Sequence, residues 1–549
     1  MNHWKSGIAA AALTALMSGH AAAQAPADTI LTGGKIVTVD DRFSIVQALA
    51  IRGERIVAVG TDAQIAALAG PNTRRIDLQG KSVVPGMIDN HAHIMEEGRI
   101  WLEELRLDGV TTRKAALDMI RAKAATLKPG DWVYTLGGFS PDQFTDNKKD
   151  FTREELDAVA PNNPVQLQFT RCCTYVNSKT IEAMGLDKRT DPWIQRDASG
   201  RPAGIISVEG ANAISDARPE APEATYERAS QALWRDMAKA GLTAVGGPCP
   251  QEDLDRYRQW ANTGKLAMRF FCNIAVAARN PMQADRTIAA IAPMKKAMFQ
   301  GNAYLDTYIY GEHAYQPVGD NMVAVKATAS KADFDQWGRI AREVAKNGLP
   351  LNQHATLTDS INGILDQIEA IDKEFPVRNL RWSLIHLDQL NATQMERMKK
   401  LGMYAGVQPR STIMGGIFHR VHGVSADNTP PFKTVQESGL KWGLGTDAFE
   451  VNQYRPFTTL GFAVTGKMVG GDLVNKQTIS REDALIAHTR SNAYFLFQEN
   501  NLGSLAPGKF ADLVVLDKDY LTVPADEIKD IQSVLTLVGG KVVYDAAAR

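Results

Sequence analysis

The stretch Val84-Pro85-Gly86-Met87-Ile88-Asp89-Asn90-His91-Ala92-His93 decides how this chain is read. Pro85-Gly86 reads as a turn, and residues 87–93 as a short strand ending in two histidines. Side chains alternate across a strand, so residues i and i+2 point to one side. His91 and His93 therefore project together, about 7 Å apart by strand rise, close enough to converge on a divalent metal. A solitary His-x-His is ordinarily two partly exposed side chains, so its meaning depends on the rest of the chain.

On either side of that stretch the pattern differs. Upstream, residues 29–32 and 35–39 flank Gly33-Gly34 as a predicted hairpin, and 48–51 and 55–59 flank Gly53 as a second. A helix over 61–69 and a strand over 75–77 come next. Near the other end, 508–517, 533–538 and 541–544 read as strands, the last two around Gly539-Gly540. Two groups of short strands can share one sheet-on-sheet core. Residues 24–84 and 497–549 are therefore expected to form a composite β-sandwich.

Downstream, strands alternate with helices: strand 349–354 then helix 359–374, strand 382–386 then helix 391–401, then strands 404–408 and 442–447. Such alternation indicates an α/β fold with parallel strands. The polar candidates His354, His386 and Asp447 each end a strand, which a (β/α)8 TIM-type barrel gathers at its C-terminal face. An open sheet would gather them only at a switch point. This alternating region spans 85–496, with an insertion at about 130–215 packed over the site.

At 549 residues the chain exceeds one small core. A formal net charge of −1 offers no electrostatic grip on nucleic acid or an anionic membrane. Lys5, the apolar run 7–17 and Ala21-Ala22-Ala23 have the layout of a cleaved signal peptide over 1–23. The expected mature protein is periplasmic or secreted, and off the membrane once the leader is cut. The partner it implies is a small-molecule substrate, and the sequence leaves a homo-oligomer open. Cys172, Cys173, Cys249 and Cys272 are too few for a disulfide framework. The adjacent pair is expected to be free or bonded elsewhere.

Three positions complete the opening pair. His354, His386 and Asp447 each end a predicted strand. Imidazoles from separate strands plus a carboxylate make a donor set suited to zinc, with iron or manganese as other fits. Such a site activates water at neutral pH, with Asp447 placed to take its proton.

Val84 to His93, His386, Gly445-Thr446-Asp447 and the tail 503–514 together resemble the amidohydrolase superfamily. Val176-Asn177-Ser178-Lys179, the Asp197-to-Gly204 turn, and Pro431-Phe432 with Gly439 resemble its family 3 branch, which includes N-substituted formamide deformylases. The resemblance implies a barrel with a composite sandwich and one or two metals at the barrel mouth. It implies His91 and His93 as ligands of the first metal, His354 and His386 at the second or holding water, and Asp447 as ligand and proton acceptor.

Relatives with two metals carry a bridging lysine in a strand matched here by 305–311, where Asp306 takes its place, or Thr307 if the register slips by one residue. The expectation is one tightly held metal, or a bridge supplied by Asp306, Glu209 or Glu312. Cys172 stands where relatives tend to have a histidine. Arg410 and Arg420 are candidates to fork a substrate carboxylate, with Glu209 a further pocket candidate. His313, His419 and His422 read as polar loop residues, and His488 as structural within a predicted helix over 481–491. Two rivals remain. A one-metal deaminase usually adds a glutamate three residues after a strand-end histidine, but Leu357 and Gln389 stand there. The other is a barrel that keeps metal as a binding or regulatory protein without catalysis.

Overall fold

Eight parallel strands run through the centre of the chain: β1 (Met87–Asp89), β2 (Leu242–Pro248), β3 (Arg269–Ile274), β4 (Leu305–Tyr310), β5 (Asn352–Ala355), β6 (Ser383–His386), β7 (Tyr404–Val407) and β8 (Lys441–Leu444). They come from a computed structural model that describes residues 25–170, 173–274 and 277–548. The leader read at 1–23 and the residue Cys172 lie outside the described residues. The strands pair in chain order as two four-stranded parallel sheets, β1 to β4 and β5 to β8. A parallel bridge from Tyr310 to Leu351 links β4 to the entry of β5. Past the ends of β8 and β1, Asp447 donates its backbone N–H to His91 O at 2.9 Å. This is an α/β fold of the TIM-barrel type.

Parallel strands are covered on both faces, so both faces must be apolar. Here Ile88, Ala244, Phe271, Tyr308 and Tyr404 gather in one cluster. The alternate residues Met87, Val245, Phe270, Cys272 and Ala405 join another, beneath the helices. Those helices include Lys331–Lys346, Thr358–Asp372 and Ala392–Lys400, the last capped by Asn391.

Ser82–Pro85, just before β1, belongs to another sheet. It pairs with Lys35–Val37 on one side and Leu513–Leu516 on the other, in a six-stranded sheet completed by Ile45–Val46, Ser533–Val538 and Lys541–Asp545. Ala27–Thr32, Ala48–Arg52, Arg55–Gly60 and Ala69–Asp77 form a four-stranded sheet. Leu31, Leu49 and Ile51 from the latter meet Ile36, Val83 and Leu513 from the former in one apolar cluster.

The hairpin expected around Gly33-Gly34 does not form. Ala27–Thr32 lies in the four-stranded sheet and Lys35–Val37 in the six-stranded one, so the two glycines carry the chain between layers. Gly33 takes φ 70° and a Cβ on Gly34 would stand 2.4 Å from Leu78 Cδ1. Leu31 and Ile36 bury in the same core from opposite sheets, and that burial overrides the local turn signal.

Gly86 is the switch between the terminal sheets and the eight-stranded array. Its N–H is donated to Asp512 O at 2.9 Å, and a Cβ there would lie 2.0 Å from Thr243 Oγ1. Beside it, buried Arg269 of β3 forks Asp512, with Nε–Oδ2 at 2.7 Å and Nη2–Oδ1 at 2.9 Å.

The region around 130–215 holds its own five-stranded sheet, from Val133–Leu136 to Pro202–Ser207. Phe139, Phe144 and Phe151 from this region pack against Ile413, Ile417 and Phe418 of the helix Ser411–His422, which comes after β7. Gln168 donates to Glu450 Oε1 at 2.8 Å, tying the insertion to the loop past β8. Cys249, just past β2, and Cys272, within β3, form a disulfide with Cα atoms 5.4 Å apart. Among the described residues no helix is long and apolar enough to cross a membrane.

Removing one partner of a buried fork leaves an uncompensated charge. Asp512→Ala is expected to destabilise the fold by about 3–5 kcal/mol, while the double change Arg269→Met/Asp512→Leu recovers most of that. Urea unfolding of the three proteins checks this; equal losses in both variants would contradict it.

Candidate metal centre

Each candidate ligand stands where a central strand gives way to a loop. His91 and His93 lie just past β1, His354 lies in β5, His386 ends β6, and Asp447 is three residues past β8. A sixth group joins them: Glu312, two residues past β4. His91, His386, Asp447 and Glu312 are buried. His386 and Asp447 take φ values of 76° and 61°. Non-glycine residues held in that left-handed region cluster at functional sites.

The Glu312 carboxylate divides the cluster in two. Its Oε2 is 3.3 Å from His91 Nε2 and 3.9 Å from His93 Nε2. Its Oε1 is 3.2 Å from His354 Nδ1 and 3.3 Å from His386 Nε2. Asp447 closes the first half, with Oδ1 3.7 Å from His91 Nε2 and 3.8 Å from His93 Nε2. Asp447 Oδ2 turns the other way, 3.6 Å from His386 Nδ1.

Do these donors fit a metal? Four donors around a tetrahedral zinc at about 2.0–2.1 Å stand roughly 3.4 Å apart, close to the spacings of the first half. Among the described residues neither ring nitrogen of buried His91 makes a hydrogen bond, and His386 Nδ1 makes none. Burial, then Arg410 and His354, pushes His386 well below the ordinary histidine range, so it is neutral. A neutral imidazole has one bare lone pair, and both nitrogens of His386 face carboxylate oxygens. Whichever tautomer is chosen, a lone pair meets a carboxylate, an arrangement that a cation relieves. The donor set fits a divalent metal, with His91, His93, Asp447 and Glu312 on one side and His354, His386 and Glu312 on the other.

Further residues orient these groups. Asp320 Oδ1 lies 3.0 Å from His354 Nε2 and also accepts the N–H of Thr356 at 3.1 Å. A carboxylate accepts, so Nε2 of His354 carries the proton and Nδ1 faces Glu312. Burial opposes charge on His354, but Asp320 and Glu312 hold its pKa up at about 10. Asp320 in turn is held well below the usual carboxylate range, against its burial, chiefly by His354. Burial pushes Asp447 up to about 6, against the pull of Arg410 and His91. Burial likewise favours protonation of Glu312, yet His91 and His313 hold it well below its ordinary value.

The structure corrects several sequence expectations. Asp306 is the second residue of β4, at the end away from Glu312, and accepts the N–H groups of Gln300 and Gly301 at 2.9 and 2.7 Å. It caps a loop on the opposite face and cannot bridge. Glu209 is exposed in the first turn of the helix Val208–Asp216, not in a strand. Arg420 forks Asp142, both contacts at 3.0 Å, with its side chain largely exposed. Arg410 does reach the cluster, but its buried guanidinium is already paired with Asp388 and lies 3.4 Å from Asp447 Oδ2. It buttresses Asp447 rather than offering a free fork.

His313 is no bystander: its Nε2 is 3.3 Å from Glu312 Oε1 and its ring is 4.8 Å from that of His354. His419 and His422 lie on the helix Ser411–His422, facing Val474 O and Met322 O. His488 Nδ1 is 3.0 Å from Ile88 O, on β1. Sequence reasoning gives no specific role to Asp320 and does not single out Glu312 as the bridge. A signal for Glu312 is present, because it lies just past a strand end, as His91, His93 and Asp447 do.

The model of the amidohydrolase family matches residues 74–544. The chain is 27% identical to the N-substituted formamide deformylase of Arthrobacter pascens, over 94% of this chain and 98% of that protein. An uncharacterized metal-dependent hydrolase from Pyrococcus furiosus superposes with a TM-score of 0.62 at 21% identity, covering 90% of this chain and all of that one. A zinc-complexed variant of an atrazine chlorohydrolase from Arthrobacter aurescens gives a TM-score of 0.52 at 14% identity, covering 95% and 97%.

Losing the partner of a ligating histidine typically weakens a metal site about 10- to 100-fold. Asp320→Asn is expected to do so here, measured by competition with a chromophoric chelator. An unchanged affinity would separate Asp320 from the centre.

Proposed function

The chain belongs to the amidohydrolase family, and on that premise we propose that it is an exported enzyme that hydrolyses the C–N bond of a small amide at a two-metal centre bridged by Glu312. The observation that carries the proposal is the divided carboxylate, with Oε2 toward His91 and Oε1 toward His354 and His386. A single metal is the expectation only as long as the bridge is missing; Glu312 stands where a bridge is needed. Zinc is the preferred ion on donor chemistry.

The chemistry supplied by such a centre is Lewis acidity toward a carbonyl and acidification of water to a pKa of roughly 7. The protein's own part falls to Asp447. It is buried and set between the two groups of imidazoles. Its raised pKa suits a group that takes a proton from water and returns it to a leaving nitrogen. Arg410, anchored by Asp388, fixes the orientation of that carboxylate. His386 lies against both carboxylates and would hold a water between them once metal is bound.

The similarity to a formamide deformylase supports N-substituted formamides as the first substrates to test. The strand arrangement supports a closed (β/α)8 barrel, and the shared core of the terminal sheets a composite β-sandwich. Export to the periplasm or beyond is supported by the leader-like N-terminus and by the Cys249–Cys272 bond, which suits an oxidising compartment.

Elemental analysis of metal-loaded protein should give two ions per chain, and Glu312→Ala at most one. One ion in both proteins would remove the bridge. Asp447→Asn should lower turnover of N-substituted formamides by about 10²-fold or more, within the range of a lost general base. Full activity in that variant would end the assignment.

A further inference from the structure

Asn273 is a buried amide with no part in the proposed hydrolysis. It is the fifth residue of β3 and only 2% exposed. Among the described residues neither its Oδ1 nor its Nδ2 has a hydrogen-bond partner. Leaving a buried amide unsatisfied costs about 1–3 kcal/mol per group, so an unpaired pair of atoms at a strand end needs a reason.

The direction of the side chain can be read from its neighbours. Phe270, Cys272 and Ile274 pack outward into the helix-side cluster. Phe271 packs with Ile88, Ala244 and Tyr308 inside the strand array. Alternation puts Asn273 on the same side as Phe271, one level nearer the C-terminal face. The register beside it shifts, with Cys272 paired to Thr307 and Asn273 to Ile309. The extra residue is Tyr308 of β4, so β3 keeps its alternation through Asn273.

Both neighbouring strands lead to the centre. On one side, Pro248 of β2 is in register with Asn273, and Gly246 of β2 accepts the N–H of Ala92, between His91 and His93, at 3.0 Å. On the other, Ile274 accepts the N–H of Gly311, next to Glu312, at 3.1 Å. Asn273 is thus the last residue but one of β3, the strand set between β2, which bonds Ala92, and β4, which leads to Glu312.

We propose that Asn273 is a substrate-binding residue that selects secondary amides: its Oδ1 accepts the amide N–H, and its Nδ2 donates to a second acceptor on the substrate. A neutral amide suits a neutral, N–H-bearing ligand, since it offers an acceptor and donors with no charge to compensate. A site built to pair a polar group rejects analogues that lack it, because its own buried atoms are then left unpaired. This assignment rests on the amide-hydrolase reading of the centre.

The probes are N-butylformamide, its N-methyl derivative, which has no N–H, and butyl formate, the ester. Asn273→Ala should lower kcat/KM for N-butylformamide roughly 10- to 100-fold, the worth of one or two buried hydrogen bonds. The other two probes should change less than about threefold, and metal content should stay at the wild-type value. N-butylurea, whose carbonyl resists hydrolysis, should bind the metal-loaded wild type more tightly than the variant by the same factor in calorimetry. An equal fall on all three probes, or no fall, would assign Asn273 to packing or to a structural water and overturn the proposal. If the wild type hydrolyses none of the probes, the proposed function fails; the N-butylurea comparison still decides Asn273, and equal affinity or no binding overturns its role.

Discussion

Glu312 holds a buried carboxylate against imidazoles from three other strands, and much of the centre is arranged around that constraint. An ionised carboxylate is costly to bury without positive charge nearby. Here the nearest groups are His91, His313, His354 and His386, of which His386 is neutral. Coordination of a cation supplies positive charge between Glu312 and the neutral His386, and it also explains why, among the described residues, His91 makes no hydrogen bond through either nitrogen.

Holding such groups in place takes a polar layer beneath them. Gln408 of the β7 end accepts the N–H of His386 at 2.7 Å and donates to Asn90 Oδ1 at 2.7 Å. Asn90 donates to Asn492, which bonds Ile88 O and Leu444 O in turn. This connected set spans β1, β6, β7 and β8, so the strand ends that carry His91, His386 and Asp447 are tied by side chains as well as by backbone. Satisfied networks of this kind rigidify a site because every alternative arrangement leaves a buried polar group unpaired.

The terminal sheets and the insertion act at a distance on the same geometry. Asp512 ties the terminal unit to β3 through Arg269 and to the start of β1 through Gly86. The insertion reaches the loop past Asp447 through Gln168 and Glu450. That loop also receives Arg106, which donates to Phe449 O at 3.2 Å while paired with Glu104 and Asp108. The backbone that carries Asp447 is therefore braced from two sides.

From the sequence alone come the strand–helix alternation, the sheet-forming ends, and five of the clustered side chains. His91, His93, His354, His386 and Asp447 are legible because each ends an apolar run, and a parallel α/β array brings such ends to one face. Glu312 is legible only as one of three acids that could bridge. A motif match fixes attention on Asp306, whose place in β4 puts it at the wrong end of the strand, and only the register brings Glu312 to the cluster. Gly33-Gly34 misleads for a similar reason, since a turn signal is local while the choice between hairpin and layer crossing depends on which core buries Leu31 and Ile36. Arg410, Asp320 and Asn273 depend wholly on tertiary structure. Whether a buried polar side chain is paired, poised or bare is set by neighbours far away along the chain, and no sequence spacing encodes that.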